Sequence, residues 1–339
     1  MIEFEQFEQL TPSEIQTVEA MPSLDEIAND SKRVGGYGIK YLDDRLDGIH
    51  KGDMVLLGAA TGCGKSTIAD IIARHNANLG LKVLHISLEN QRGKNFLRQV
   101  FYNYRQLAND YESIKTQREF ADKVATHKLD KDILDMACKN AKDYYKGIYM
   151  IYKTNADYSV NQLARDIKEC FIQDADLIIV DHIDYLDKDC GENDIDHITK
   201  TMTMVWNLEL RYKIPIICLS HLRKNQSAKT RPIVPSLDDF MGTSNKTKNA
   251  PIVIVLAPDL EKEAYRNKSL KYNERPTFCC IRKNRDDGVN YKTGWVKFDT
   301  KTGTYKKDFL ELDTDYSGTK VENSYADENL ENDSDEWYK

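Results

Sequence analysis

The sequence contains no apolar run that approaches the ~20 residues of a membrane-spanning helix. Residues 1–5 are acidic, unlike the basic start of a secretory signal. No internal repeat with a fixed period is present either, which disfavours a solenoid or a propeller. We therefore expect no membrane span, no repeat architecture and a cytoplasmic location.

The cysteines are not spaced in pairs along the sequence. The chain has seven cysteines, an odd number, and none of them forms a C-x-x-C pair. Structural zinc sites and disulfide frameworks depend on paired spacings. Several of the cysteines, such as Cys218 and Cys279, lie in apolar, strand-like runs instead. We expect buried, reduced thiols, which is the usual state inside a cell.

The chain also has no excess of basic charge. Its 48 lysines and arginines are outnumbered by 55 aspartates and glutamates, which gives a net charge of −7. A protein that coats nucleic acid with its whole surface is usually basic. That class is disfavoured, although a local basic channel is compatible with this charge. The 339 residues, 40% of them hydrophobic, are enough for one large α/β domain or two small ones.

A phosphate-binding loop is the most informative motif. Residues 59–66 have the sequence A-A-T-G-C-G-K-S, between an apolar run at 54–57 and a helical pattern. In such a loop, backbone N–H groups converge on an anion at the helix N-terminus, where the helix dipole also favours negative charge. The first position is Ala59 where the common pattern has Gly, and Gly58 lies one residue earlier. The context of strand, loop and helix favours a nucleotide site over a chance glycine turn.

The loop predicts individual contacts to a nucleotide. Lys65 would reach the outer phosphates, and the Ser66 hydroxyl would hold Mg²⁺. The inner face of the following helix is predicted to contain Ile68, Ile71, Ile72 and Ala73. The predicted nucleotide-binding residues are Ala60, Thr61, Gly62, Cys63, Gly64, Lys65, Ser66 and Thr67.

Apolar, strand-like runs alternate with helical patterns through the middle of the chain. The runs are 83–88, 148–151, 177–180, 214–219, 252–256, 278–281 and 295–298. Short strands that are apolar on both faces are typical of a parallel sheet covered by helices. We predict an α/β fold with a mostly parallel sheet flanked by helices. A charged helical excursion at 93–146 interrupts the alternation.

The two ends differ from this central domain, which we place at 36–311. Residues 1–35 have helix-start signals, the capping boxes at 11–14 and 23–26, but no evident core, so we predict short linker helices. Residues 312–339 are acidic and polar, and we predict a disordered tail.

Three polar residues lie at the ends of different apolar runs, namely Glu89, Asp181 and His221. In an open parallel sheet, ligands bind at the carboxyl ends of the strands. Asp181 is suited to hold Mg²⁺, Glu89 to orient and deprotonate an attacking water, and His221 to sense a γ-phosphate through a hydrogen bond. Each has an ordinary alternative: Asp181 caps a turn, Glu89 is solvated, or His221 is a satisfied core histidine.

The order of the motifs resembles the RecA-like ATPase domain of DnaB-type replicative helicases, including the phage ring helicases. The motifs are A-A-T-G-C-G-K-S, I-S-L-E, L-I-I-V-D, I-P-I-I-C-L-S-H-L and I-R-K-N-R-D-D-G, and the resemblance covers roughly residues 36 to 300. It implies ATP, or another nucleoside triphosphate, and Mg²⁺ as ligands, and a hexameric ring with a nucleotide site between neighbouring subunits. It also implies that Glu89 is the catalytic glutamate and His221 the polar sensor.

The late segment Lys283-Asn284-Arg285 is similar to the K-x-R element with which this family reaches the adjacent subunit's nucleotide. On an extended strand, residues two positions apart point to the same side, so both cations would meet a γ-phosphate together. An arginine that reaches the γ-phosphate in this way, called an arginine finger, typically increases kcat by a factor of ~10³–10⁵. The local alternative is a pair of solvated basic residues at a strand end.

A basic loop follows His221 in an otherwise acidic chain. Such a loop is suited to track single-stranded DNA through phosphate contacts, although a solvated basic loop is the ordinary alternative. Relatives commonly have Arg where this chain has Met241, and Lys246 and Lys248 are the candidates to replace that contact. The predicted DNA-contacting residues are Arg223, Lys224, Lys229, Arg231 and Gly242.

Together, the motifs and the resemblance predict a ring-forming, phage-type DNA helicase. It would hydrolyse ATP, move 5′ to 3′ on single-stranded DNA and unwind duplex DNA in replication, with the polarity coming from the resemblance alone. The expected partners are single-stranded DNA, further copies of the chain in a homo-hexamer, and a primase or loader protein. Two alternatives are a RecA-like recombination or annealing ATPase and a nucleotide-dependent regulatory or loader ATPase that does not unwind DNA.

Overall fold

A nine-stranded sheet organises the described part of the chain. The computed structural model describes residues 22–59, 64–90, 93–153, 158–172, 174–222, 236–240, 245–259, 274–285, 288 and 292–313. The strands are β1 (Arg33–Gly35), β2 (Ile49–His50), β3 (Met54–Ala59), β4 (Val83–Ser87), β5 (Ile148–Tyr152), β6 (Leu177–Asp181), β7 (Ile216–His221), β8 (Ile252–Pro258), β9 (Glu274–Asn284), β10 (Lys292–Asp299) and β11 (Thr304–Asp313). The α-helices are α1 (Leu24–Asp30), α2 (Lys40–Leu46), α3 (Lys65–Asn78), α4 (Lys94–Leu107), α5 (Gln117–Ala125), α6 (Lys131–Tyr144), α7 (Val160–Ile172), α8 (Asp194–Tyr212) and α9 (Asn245–Asn249).

The strand order in the large sheet is β11-β10-β9-β8-β3-β7-β6-β4-β5. The strands from β8 to β5 pair in parallel, whereas β9, β10 and β11 add an antiparallel edge next to β8. β1 and β2 form a separate antiparallel pair. The predicted α/β fold with a mostly parallel sheet is confirmed. The apolar pattern did not predict the antiparallel direction of the last three strands, nor β11 itself.

The central strand β3 shows why apolar residues in these runs do not alternate with polar ones. Every residue of β3 is buried. Met54 and Leu56 pack in one hydrophobic cluster, whereas Val55 and Leu57 pack in another on the opposite face. Helices cover both faces, so each face of the strand must be apolar. The predicted inner face of α3 is confirmed, since Ile68, Ile71, Ile72 and Ala73 are all buried.

The predicted helical excursion consists of α4, α5 and α6, which form a hydrophobic core of their own. Phe120 is fully buried there, with its ring centroid 5.7 Å from that of Phe101 and 5.5 Å from that of Tyr104. A polar contact fixes this group of helices against the phosphate-loop helix, because Arg98 donates to the Thr67 hydroxyl at 3.3 Å.

The ends of the described chain match part of the sequence pattern. The predicted capping box of Ser23 and Glu26 is present at the start of α1, whereas the box at 11–14 lies outside the described residues. β11 runs to Asp313, slightly past the predicted boundary at 311.

Within the described ranges, no helix is long and apolar enough to cross a bilayer. The described cysteines are free, and Cys218, Cys279 and Cys280 are buried, as expected.

Replacing Phe120 with alanine is expected to lower the free energy of unfolding by about 3–5 kcal/mol, because loss of a fully buried aromatic ring leaves a cavity. Met136→Ala is the matched control in the same group of helices, since Met136 is 54% exposed. Its replacement is expected to change stability by ~0.5 kcal/mol or less. Urea unfolding followed by circular dichroism measures both values, and equal midpoints for the two variants would contradict the description of this core.

Candidate functional site

Parallel strand pairing brings several predicted site residues to one edge of the sheet. Ala59 at the end of β3 lies beside His221 at the end of β7, and Ser87 of β4 lies beside Asp181 of β6. β6 and β7 are themselves neighbours. Glu89 lies two residues beyond the end of β4. The carboxyl ends of these strands, where α/β sheets bind ligands, therefore form one continuous site.

The Lys65 ammonium is buried at this edge. Lys65 begins α3 and is only 5% exposed. Its Nζ donates to the Ala59 carbonyl at 3.0 Å and lies 2.8 Å from His221 Nδ1. Gly64 precedes it with a φ of 83°, in the left-handed region that glycine adopts without steric cost. The predicted phosphate-binding residues Ala60, Thr61, Gly62 and Cys63 lie outside the described residues.

Gly58 has a packing role within β3 and is not part of the phosphate loop. A Cβ at this position would lie 2.5 Å from the Phe240 ring. That distance is shorter than any tolerated contact, so the close approach of Phe240 requires glycine here. The resulting contact holds the residues after β7 against the strand that leads into the loop.

His221 is a neutral hydrogen-bonding group in this site. Burial lowers its pKa to about 4, and the charges of His182 and Lys65 act in the same direction. Because an ammonium only donates, Nδ1 accepts from Lys65, which assigns the ring proton to Nε2. The Nε2–H group is then a neutral donor that suits a phosphate oxygen.

Asp181 has a fully buried carboxylate, and neither of its oxygens has a hydrogen-bond partner among the described residues. An isolated buried carboxylate is costly, and a bound cation removes that cost. Mg²⁺ typically binds one or two protein oxygens, substrate phosphates and several waters. Asp181 and the half-buried Ser66 at the start of α3 therefore fit Mg²⁺ as protein ligands.

His182 and Asp184 extend the site beyond the predicted residues. Glu89 Oε2 lies 3.7 Å from His182 Nε2, and His182 Nδ1 lies 3.2 Å from Asp184 Oδ2. The His182 ring meets the His221 ring edge-on, with centroids 4.1 Å apart. The sequence patterns did not predict these roles. The segment V-D-H-I-D at 180–184 could have indicated them, because two more polar residues follow Asp181 closely.

Asp184 is ionised inside the protein. Its carboxylate accepts the His221 backbone N–H at 2.6 Å and the Ser220 hydroxyl at 3.2 Å, and it forms an ion pair with Lys246. Burial by itself raises the pKa of Asp184, but the contact with His182 and the charge of Lys246 outweigh it and hold the pKa well below its usual value.

Lys246 is 1% exposed, and its ammonium contacts Asp184 and the Ser220 hydroxyl. The expectation that Lys246 replaces a phosphate contact to DNA is therefore wrong, because its charge is already paired inside the protein. Lys248 is exposed and is the remaining candidate.

Lys283 and Arg285 lie near the amino-terminal ends of the parallel strands, whereas Lys65 and His221 lie at the carboxyl ends. Lys283 pairs with Val253 near the start of β8, whereas the phosphate loop follows the end of β3, which runs parallel to β8. Lys283 Nζ donates to the Ala250 carbonyl at 2.7 Å, and Arg285 Nη2 donates to the Lys248 carbonyl at 2.7 Å. Burial, followed by the Arg285 charge, lowers the pKa of Lys283 to about 8. Both cations point to one side, as the spacing predicted.

The predicted DNA-contacting residues Arg223, Lys224, Lys229, Arg231 and Gly242, together with Met241, lie outside the described residues. The flanking positions are described. Leu222, next to His221, forms an antiparallel bridge with Phe240. The segment between them therefore begins and ends beside the sheet edge that holds Lys65 and His221.

The mostly parallel sheet, Lys65 at the start of α3 and the carboxylate at the end of β6 are typical of the RecA-like ATPase fold. Comparison with protein families identifies one family within this class of ATPases. The chain belongs to the DnaB-like helicase C terminal domain family, whose model matches residues 36–307. The resemblance to DnaB-type helicases is thus confirmed.

Solved structures share the fold. The chain is similar to a solved structure described as an ATPase domain, with a TM-score of 0.60 and 19% identity, covering 88% of this chain and 95% of that one. It is also similar to a DnaB-like replicative helicase whose structure describes its interactions with primase, with a TM-score of 0.62 and 20% identity, covering 81% of this chain and 62% of that one.

A relative in Chlamydia trachomatis is described as a probable plasmid replicative DNA helicase. It is 22% identical to this chain over 221 residues, which covers 65% of this chain and 46% of the relative. The chain thus spans about half the length of the curated relatives it matches.

Replacing His221 with glutamine is expected to weaken the dependence of stability on pH between about 6.5 and about 4. The pKa of His221 is lower in the folded than in the unfolded state, so the unfolded state binds the proton first as the pH falls. The contribution of neutral His221 is fully present above pH 6.5 and is lost on the way to pH 4. Urea midpoints at both ends of this window, compared between the natural chain and His221→Gln, measure the effect. An identical change in the two proteins would contradict it.

Proposed function

We propose that this chain is the ATP-driven motor of a replicative DNA helicase, which assembles head to tail into a hexameric ring and moves 5′ to 3′ on single-stranded DNA. The observation that carries the proposal is the sheet edge at which Lys65, Asp181 and His221 converge, in a chain of the DnaB-like helicase family. The polarity rests on the resemblance to that family alone.

Nucleotide binding would use the N-terminal end of α3. The Lys65 ammonium exchanges its contacts with Ala59 and His221 for phosphate oxygens of ATP. The Ser66 hydroxyl and the Asp181 carboxylate would hold Mg²⁺. Bound Mg²⁺ would neutralise charge on the β- and γ-phosphates.

Hydrolysis would use Glu89 and His221. The Glu89 side chain is 38% exposed at the rim of the site, where its carboxylate can orient a water and accept its proton. The neutral His221 donates from Nε2 to the γ-phosphate. Lys283 and Arg285 of the same subunit lie at the far ends of the strands, so we infer that a neighbouring subunit supplies the arginine finger.

The position of Lys283 and Arg285 supports a head-to-tail ring. Between Val55 and Ala59 alone, β3 extends by roughly 13 Å, so these cations cannot reach the nucleotide of their own subunit. In a heterologous interface, opposite faces of neighbouring subunits meet, and such an interface forms a ring when the rotation between subunits closes. Arg285 would then complete the neighbour's site, and the basic segment after His221 would contact DNA in the ring.

Mixing two inactive variants tests the shared site. Lys65→Ala loses its own nucleotide contact but keeps Arg285, whereas Arg285→Ala binds ATP but lacks the finger. Each alone is expected to lose about 10³-fold or more in turnover. Mixed rings contain interfaces with an intact Lys65 and an intact Arg285, so hydrolysis is expected to return in the mixture, measured as phosphate release.

Arg118→Ala is the control, because Arg118 is exposed on α5 in the helical excursion. It should keep normal turnover. Recovery of both variants together, when only one of them carries an affinity tag, confirms that mixed oligomers form. Mixed oligomers without recovered hydrolysis, or normal turnover in Arg285→Ala alone, would contradict the shared site.

Unwinding itself is tested on forked duplex DNA with a tail on one strand only. We expect unwinding that requires ATP and a 5′ tail, together with ATP hydrolysis that single-stranded DNA stimulates. Strand pairing without unwinding would instead indicate a recombination or annealing ATPase. Hydrolysis that is insensitive to DNA would indicate a regulatory or loader protein.

A further inference from the structure

Ser87 is a buried polar residue at the edge of the sheet where the nucleotide would bind. It is the last residue of β4, it is fully buried, and its hydroxyl has no hydrogen-bond partner among the described residues. Of the five residues of β4, only His85 and Ser87 are polar, and Ser87 is the one at the carboxyl end. A buried hydroxyl without a partner is costly, whereas a small apolar side chain at the same position is not. The serine therefore points to a role in binding.

The Ser87 hydroxyl lies next to the Asp181 carboxylate. The two residues are partners in the parallel pairing of β4 with β6, and the Leu88 N–H fixes this register by donating to the Asp181 carbonyl at 2.7 Å. Adjacent strands are ~4.8 Å apart, and side chains of paired residues point to the same face. Neither carboxylate oxygen of Asp181 has a partner among the described residues. Three unpartnered oxygen atoms are thus close together.

These oxygen atoms lie on the face of the sheet that α3 covers. Val83 of β4 and Ile179 of β6 pack with Ile68 of α3 in one hydrophobic cluster. Side chains alternate along a strand, so Ser87, four positions after Val83, and Asp181, two positions after Ile179, face α3 as well. Because α3 begins at this edge of the sheet, the three oxygen atoms lie on the side where its first residues would hold phosphates and Mg²⁺.

The chemistry of Mg²⁺ gives a serine hydroxyl at this place a use. Mg²⁺ loses its waters reluctantly and usually keeps several of them when it binds one or two protein oxygens and substrate phosphates. Metal-bound waters donate hydrogen bonds, and a hydroxyl oxygen has lone pairs that accept them. Residues that hold the ligands of a metal commonly tune its affinity. Asp181 and Ser66 alone leave such waters without a described protein acceptor.

We propose that Ser87 is a positioning residue for Mg²⁺, whose hydroxyl accepts a hydrogen bond from a metal-bound water beside the Asp181 carboxylate. It thereby makes the site favour Mg²⁺, which keeps its waters in a regular octahedron, over Ca²⁺, which binds more oxygens in a more variable geometry. This inference rests on the proposed function, because that function supplies the nucleotide and its Mg²⁺.

The experiment measures by calorimetry how tightly the natural chain and Ser87→Ala bind β,γ-imido-ATP, an analogue that is not hydrolysed, without metal, with Mg²⁺ and with Ca²⁺. Without metal the two proteins should bind equally, because Lys65 and Ser66 are intact. The tightening caused by Mg²⁺ is expected to fall on the order of 10-fold in Ser87→Ala. With Ca²⁺ the two proteins should differ much less, since its ligand sphere adapts.

Thermal unfolding provides a readout that does not involve the nucleotide. Without metal and nucleotide, Ser87→Ala should unfold at the same temperature as the natural chain or at a higher one, because it removes a buried hydroxyl that has no partner. Thr201→Val is the matched control. It removes a fully buried hydroxyl that donates to the His197 carbonyl within α8, a helix that packs on the other face of the sheet. This variant should keep the natural effect of Mg²⁺.

Three results would overturn the inference, and they have different meanings. If Mg²⁺ tightens binding equally in both proteins, Ser87 does not position the metal, although the proposed function stands. If Ser87→Ala weakens binding equally without metal, with Mg²⁺ and with Ca²⁺, the hydroxyl has a structural role only. If Mg²⁺ has no effect on the natural chain, the proposed MgATP site fails and the role of Ser87 fails with it.

Discussion

A buried carboxylate at the end of a parallel strand is the constraint on which the site depends. Asp181 is held at the edge of the sheet by the pairing of β6 with β4 and β7, and neither of its oxygens has a partner among the described residues. Burying such a group in its ionised form is costly unless a cation lies next to it. The adjacent end of β3 leads to Lys65 and Ser66, the residues that we propose bring phosphates and Mg²⁺ to that position. Bound MgATP would supply the missing positive charge.

The other charged side chains around the site have partners within the protein. Lys65 contacts the neutral His221 ring and the Ala59 carbonyl. Asp184 and Lys246 neutralise each other nearby. Lys283 and Arg285 bind main-chain carbonyls at the far edge. Lys283 and Arg285 thus lie away from the Lys65 site of their own subunit, which fits the proposed head-to-tail arrangement of copies.

The sequence predicted features that local chemistry determines. Lys65, Asp181 and His221 could be placed because each follows an apolar run, and parallel strands end together. The ion pair of Lys246 with Asp184 could not, since 62 positions separate them and no local pattern joins them. The antiparallel direction of β9, β10 and β11 could not be predicted either, because a buried apolar run has the same composition in either direction. The basic residues of the DNA-contacting segment remain predictions.

Mg²⁺-dependent binding of ATP tests the central claim most directly. Calorimetry on the natural chain and on Asp181→Asn, each with and without Mg²⁺, compares two proteins of nearly identical shape. Mg²⁺ is expected to tighten ATP binding to the natural chain and to have little effect on Asp181→Asn, whose binding without Mg²⁺ should match or exceed that of the natural chain. An equal effect of Mg²⁺ on both proteins would show that the carboxylate at the end of β6 does not hold the metal.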